Sequence, residues 1–280
     1  MNKRWIRICL LIVLIVGLFM IVRRELGIWQ SQRDLEDAIQ ATLPTEDLPS
    51  EETQSTEPEP TEEPAEPLPP LPEDASLLTQ ISLEALRAEN SDVVGWILIP
   101  GTEVSYPIVQ GEDNQYYLEH TWKKAYSTSG SIFLECMNDP SMEGFHTLIY
   151  GHRMKNNSMF GSLKYYVRQD YWEEHPSVYI LSDTGICRYD IFAAQEAGIR
   201  TILYYLDFTD REEEFIQFCE ENSVLDTGIE VTAEDRFITL STCTGQGHDT
   251  RWTVQAVLRQ EGFTVEDVPE AGEPSSQEAE

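Results

Sequence analysis

Basic residues are scarce in this chain. Its 19 Lys and Arg stand against 50 Asp and Glu, a formal net charge of −31 over 280 residues. The deficit is not spread evenly. Residues 1–75 hold 15 acidic residues, the segment from Val265 holds 6, and the stretch between holds 29 against 13 Lys and Arg. A surface of that sign excludes nucleic acid, whose binding depends on neutralising phosphates. It suits solubility and cationic partners such as free amines. Cysteine is sparse as well. The five residues Cys9, Cys136, Cys187, Cys219 and Cys243 form no CxxC pair, and their odd number leaves at least one thiol free. No His/Cys pair has the close spacing of a metal site, so no metal and no cofactor is expected. No internal repeat is visible.

Lys and Arg are absent altogether from residues 44–72, which carry nine prolines with many Glu and Thr. Such a composition buries too little apolar surface to offset its chain entropy, and like charges extend it. Ahead of it lies the opposite extreme. Ile8 to Val22 is fifteen residues without a charge, preceded by Lys3, Arg4 and Arg7 and followed by Arg23 and Arg24. No small-x-small cleavage site follows it, which favours an uncleaved membrane anchor over a signal peptide. The excess of basic charge before the run favours a cytoplasmic N-terminus with the remainder outside. The expected organisation is an anchor at 1–24, a stalk and disordered spacer at 25–75, a folded unit at 76–264, and an acidic disordered tail at 265–280. Glu25 to Ala41 is expected to leave the membrane as a short helix.

The folded unit opens with a helical stripe, Leu77, Leu78, Ile81, Leu83 and Leu86, capped by Ser76 and ending near Asn90. Short strands are then expected at 95–99, 104–109, 131–134, 147–150, 177–181, 187–194, 237–242 and 252–258. Turn residues such as Pro100-Gly101 and Asp183-Thr184-Gly185 separate several of them. Eight short strands point to a mainly β fold, a closed barrel or a sandwich. Helices are expected near 158–167 and at 210–222, the latter capped by Thr209 or Asp210.

Three residues stand at strand ends, where a rigid element meets an accessible loop. Cys243 closes the apolar strand Thr239-Leu240-Ser241-Thr242-Cys243, just before Thr244-Gly245. A thiol held there as thiolate can attack a carbonyl. His152 follows the strand Thr147–Tyr150 across Gly151, a position from which it can serve as acid or base. Arg251 opens the strand that follows the cysteine, where a guanidinium is a fixed donor toward a developing oxyanion. Each residue alone is ordinary: a lone strand-end cysteine is usually a buried small hydrophobe, and a lone His or Arg is usually a surface residue.

Together they carry a resemblance. TLSTC, ending at Cys243, resembles the TLxTC signature of sortases. Tyr150 to Tyr166, YGHRMKNNSMFGSLKYY, resembles the segment around the catalytic histidine of class B sortases, and Asp113 to Glu135 also resembles that class. A helix at 210–222, lying before the cysteine strand, matches the extra helix of class B. The resemblance implies a closed eight-stranded β-barrel with an N-terminal helix. It also implies a cysteine transpeptidase in which Cys243 is the nucleophile, His152 the general acid/base and Arg251 the transition-state arginine. Substrate contacts are expected from His120, Thr242 and Leu240, although packing beside Trp122 is the competing account of His120. The partners implied are exported proteins bearing a sorting signal and an amine of peptidoglycan or its precursor. The loop Thr244–Thr250 is shorter than in many class B relatives, which bears on substrate choice. Two alternatives remain open at this point: a hydrolytic cysteine peptidase on the same residues, and a non-catalytic wall-binding β-domain that needs no Cys243.

Overall fold

A computed structural model describes residues 3–42, 71, 73–243 and 249–263. The acidic tail, most of the Pro/Glu-rich segment and residues 244–248 of the cysteine loop lie outside the described residues. Eight strands form a closed barrel: β1 Val93–Leu98, β2 Ser105–Val109, β3 Ile132–Leu134, β4 His146–Tyr150, β5 Ser177–Ser182, β6 Gly185–Gly198, β7 Phe237–Cys243 and β8 Thr250–Phe263. Their order around the barrel is β1-β2-β3-β4-β7-β8-β6-β5, with β5 returning to β1. All eight coincide with the strands expected from alternation, and closure decides for a barrel over a sandwich.

Alternation explains the interior. Along β7, Ile238 and Leu240 point into the barrel, where they meet Ile149 of β4 and Val254 and Ala256 of β8. Each such fully buried aliphatic side chain contributes roughly 1.5–3 kcal/mol. The opposite face of β7 is also buried. α4 (Glu212–Asn222) and a 3-10 turn at Ile202–Tyr204 cover it, and Phe208, Phe215, Phe237 and Cys219 form an outer cluster there. A strand covered on both faces needs partners for its polar side chains. Thr239 Oγ1 is 2.8 Å from His146 Nε2, and Ser241 Oγ is 2.9 Å from the Tyr204 hydroxyl. Only the last residue of β7, Cys243, emerges exposed.

The helices depart from expectation in instructive ways. The single helix expected from Ser76 to Asn90 is two elements, a 3-10 segment at Glu73–Gln80 and α2 at Leu83–Glu89. The Ser82 hydroxyl accepts from the Ala85 N–H at 3.1 Å, so a cap restarts the chain where the apolar stripe reads as continuous. The expected helix at 158–167 is a 3-10 segment, Gly161–Val167, followed by a short α3 at Gln169–Glu174. α4 starts after Arg211 rather than at Thr209 or Asp210, because Asp210 has φ 59°, outside helical geometry.

The short helix expected at 25–41 belongs to one long helix, α1, Lys3–Thr42. The side chains of Ile8 to Leu11, Cys9 among them, lie outside the described set. Among the described residues, no helix is long and apolar enough to cross a membrane. At the far end of α1, Ala38 is fully buried, and Leu35 and Ile39 pack on the cluster formed by Leu78, Leu86, Trp96 and Trp122. Trp122 Nε1 donates to the Asp34 carbonyl at 2.8 Å. Packing on the folded unit therefore begins upstream of Ser76.

Candidate active site

β4 and β7 run parallel with Tyr150 opposite Ser241, and the Gly151 N–H donates to the Ser241 carbonyl at 3.2 Å. This register carries the chain to His152 on one strand end and to Cys243 on the next. Gly151 is required between them. A Cβ there would lie 2.5 Å from Ile132 Cδ1 and 2.7 Å from the Phe160 ring. On the other side, β7 and β8 form an antiparallel pair in which Cys243 is opposite Arg251. Three strands thus deliver Cys243, His152 and Arg251 to one rim. There they line a cavity of about 360 Å³ with Asn114, Leu118, Phe133, Tyr150, Gly151, Ile199, Tyr204, Ser241 and Thr242.

The His152 side chain hydrogen-bonds the Cys243 thiol. His152 Nε2 donates to the Leu118 carbonyl at 2.8 Å, which holds the ring and leaves Nδ1 available to the sulfur. The electrostatics follow from this pairing. The bond to His152 lowers the Cys243 pKa most, against burial, and the charges of Arg251, His152 and Arg153 add to it. The bond to Cys243 in turn raises the His152 pKa against burial, with help from the Leu118 carbonyl and the charge of Glu119. Both shifts favour thiolate with imidazolium. Arg251 donates from Nη1 to the Thr250 carbonyl at 2.9 Å, so its guanidinium is tethered at the strand start. The arrangement brings a thiol able to act as a nucleophile, an imidazole able to donate a proton and a guanidinium able to donate hydrogen bonds to one cavity.

The other described thiols have no such setting. Cys136, Cys187 and Cys219 form no disulfide among the described residues. Cys219 is buried, and burial drives its pKa well above the ordinary thiol range. His146 also lies on β4 but is enclosed by Phe208 and Phe215, and burial lowers its pKa to about 3.

The expected substrate contacts divide. Thr242 lines the cavity. Leu240 does not, and this corrects the expectation: it shares the inward face of β7 with Ile238 and is fully buried in the barrel interior. His120 is absent from the lining. Its ring stacks on Tyr116 at 4.0 Å, and its Nδ1 is 2.8 Å from the Tyr116 carbonyl oxygen. Asn114 and Leu118, from the same segment, line the cavity instead. The opposite wall, Ile199 and Tyr204, comes from the connection between β6 and α4. No chemistry-bearing pattern marks that segment in the sequence.

A family model for the sortase domain matches residues 97–259. The chain belongs to the sortase family. Its relatives are sortases of class B. The sortase B of Listeria monocytogenes is 38% identical over 167 residues, which is 58% of this chain. The match spans 66%, just under two thirds, of that protein and of the sortase B of Staphylococcus aureus. Among solved structures, the Staphylococcus aureus sortase B–substrate complex superposes with a TM-score of 0.60 at 30% identity, covering 63% of this chain and 84% of that one. A sortase B complexed with triglycine superposes with a TM-score of 0.59 at 29% identity, covering 66% and 87%. In sortase terms the rim holding Cys243, His152 and Arg251 is the candidate active site.

Proposed function

We propose that this sortase is a cysteine transpeptidase. The observation that carries the reading is the hydrogen-bonded Cys243–His152 pair at adjoining strand ends, with Arg251 opposite the cysteine. The Cys243 thiolate attacks the backbone carbonyl carbon of a threonine in a sorting peptide. The resulting oxyanion is stabilised by the Arg251 guanidinium. Its collapse forms a thioester and expels an amine, which takes its proton from the His152 imidazolium. An incoming amine then gives a proton to His152 as it attacks the thioester, and the thiolate is regenerated. The acceptor amine belongs to peptidoglycan or its precursor. A relative seen with substrate and another seen with triglycine support a peptide donor and an amine acceptor.

Product analysis tests this reading. The full chain is incubated with a peptide library bearing threonine at the acyl position, with and without triglycine. Peptide–triglycine conjugates are expected. Free acid alone, in equal amount with and without triglycine, would instead make the protein a hydrolase.

The second part of the proposal is location. The uncharged run Ile8–Val22 between basic flanks supports a single membrane pass with the catalytic unit outside. Ile12 to Val16, Leu18 and Val22 on α1 are exposed, in keeping with a lipid-facing surface. Protease added to intact protoplasts should remove the catalytic unit from the cell surface. Full protection of that unit would reverse the topology.

A further inference from the structure

Glu135 follows β3 directly, and it is buried, with a relative exposure of 7%. Among the described residues no Lys or Arg is paired with it. A buried carboxylate without a cation is costly and persists only where donors satisfy it. Here both oxygens are satisfied by groups that belong to the active-site wall. Oε1 accepts from Asn114 Nδ2 at 2.6 Å, with the Cys136 thiol at 3.3 Å, and Oε2 accepts from the Tyr150 hydroxyl at 2.8 Å. Asn114 and Tyr150 line the same cavity as Cys243 and His152, whereas Glu135 does not.

The amide of Asn114 has a single permitted orientation. Its Oδ1 accepts from the Cys136 backbone N–H at 2.8 Å while its Nδ2 gives one proton to Glu135. Flipping the amide would set an N–H against the Cys136 N–H and an oxygen against a carboxylate. One Nδ2 proton is left over. Tyr150 is equally constrained, because its hydroxyl proton is committed to Oε2. Burial, followed by the negative charge of Glu135, raises its pKa, so that proton stays in place at working pH.

We propose that Glu135 is a positioning residue for acyl transfer. Its carboxylate fixes Asn114 as a hydrogen-bond donor and Tyr150 as an immobile wall, and this sets the groove's preference for a peptide that offers a carbonyl oxygen on that side. The proposal rests on the transpeptidase reading above. Glu135 does not reach the reacting atoms, so its effect falls on peptide recognition and not on the thiolate. In Glu135→Gln the side chain keeps its shape. Its Oε1 can still accept from the Asn114 NH2, but its own NH2 then donates to the Tyr150 oxygen, so the tyrosine proton loses its acceptor and the interlock fails at the Tyr150 wall.

The test measures kcat and KM for the best peptide of a threonine-fixed library, with triglycine as acceptor, on the full chain. Glu135→Gln is expected to raise KM about tenfold, the value of one well-placed hydrogen bond, with kcat within about threefold. Its rate of Cys243 labelling by a methanethiosulfonate reagent should equal that of the wild type, which shows that the variant is folded around an intact thiol. The double variant Glu135→Gln/Asn114→Asp separates positioning from packing. The introduced aspartate accepts from both the Cys136 N–H and the introduced glutamine. The interlock and thermal stability therefore return, but the donor is gone and KM stays high. A wild-type KM in the double variant, or in Glu135→Gln itself, overturns the proposal while leaving the transpeptidase reading intact. Absence of any transfer by the wild type overturns both.

Discussion

Tyr150 on β4 lies opposite Ser241 on β7 in a parallel pair, and two residues beyond each the chain reaches His152 and Cys243. The pairing of the two reactive side chains is therefore a consequence of register. Parallel neighbours require a long crossover. That crossover contains β5, β6 and α4, which also supply the covering layer behind β7 and the Ile199–Tyr204 wall.

Arg251 is set by the second pairing of β7, opposite Cys243. A lysine at this position keeps the charge but loses the planar fork. Arg251→Lys should lower kcat by about 10²–10³-fold, the range for loss of one oxyanion donor. A near-normal kcat in steady-state assays would remove Arg251 from the transition state.

The thiol–imidazole pair has a pH signature that needs no substrate. Because the bond to His152 is the largest influence lowering the Cys243 pKa, thiolate forms below the ordinary thiol range. The rate of methanethiosulfonate labelling against pH should therefore rise early in the wild type. In His152→Ala the rise should move to higher pH, since the main stabiliser of the thiolate is gone while Arg251 and Arg153 remain. Superimposable profiles would contradict the pairing.

His146 sits on the same strand as the approach to His152 and behaves in the opposite sense. Burial lowers its pKa to about 3, so the folded chain keeps it neutral where the unfolded chain protonates it. Between these limits the unfolded state binds more protons, and stability is lost as pH falls below the unfolded value of about 6.5. Urea denaturation should show the wild type losing about 2 kcal/mol more than His146→Gln between pH 7 and pH 5. An equal loss in both would show that His146 titrates normally.

The barrel is legible in the sequence because alternation is a local property. In β7, Ile238 and Leu240 face inward and Thr239 and Ser241 outward, and the strand can be read without knowing its neighbours. The strand-end positions of Cys243, His152 and Arg251 are legible for the same reason, and the family resemblance supplies the roles proposed for them. What escapes is whatever depends on tertiary context. The break at Ser82 hides inside a continuous apolar stripe. His120 attracts attention as a titratable group, yet its stacking on Tyr116 takes it out of the cavity that Asn114 and Leu118 line. Leu240 shares the cysteine's strand but follows the strand's inward parity. Glu135 looks like one more acidic residue in an acidic chain, and only its burial between Asn114 and Tyr150 separates it from the rest.

The most direct test of the account is the covalent intermediate. The full chain is mixed with the threonine-fixed peptide library in the absence of an acceptor amine, quenched in acid and mapped by mass spectrometry. Loss of either reactive side chain should be severe, with Cys243→Ala showing no adduct and His152→Ala falling about 10²–10⁴-fold in the rate of adduct formation. In the wild type, an acyl group ending in threonine should be found on Cys243 and should be released as a conjugate on addition of triglycine. An adduct on another residue, or conjugate formation that persists in Cys243→Ala, would contradict the assignment of Cys243 as the nucleophile.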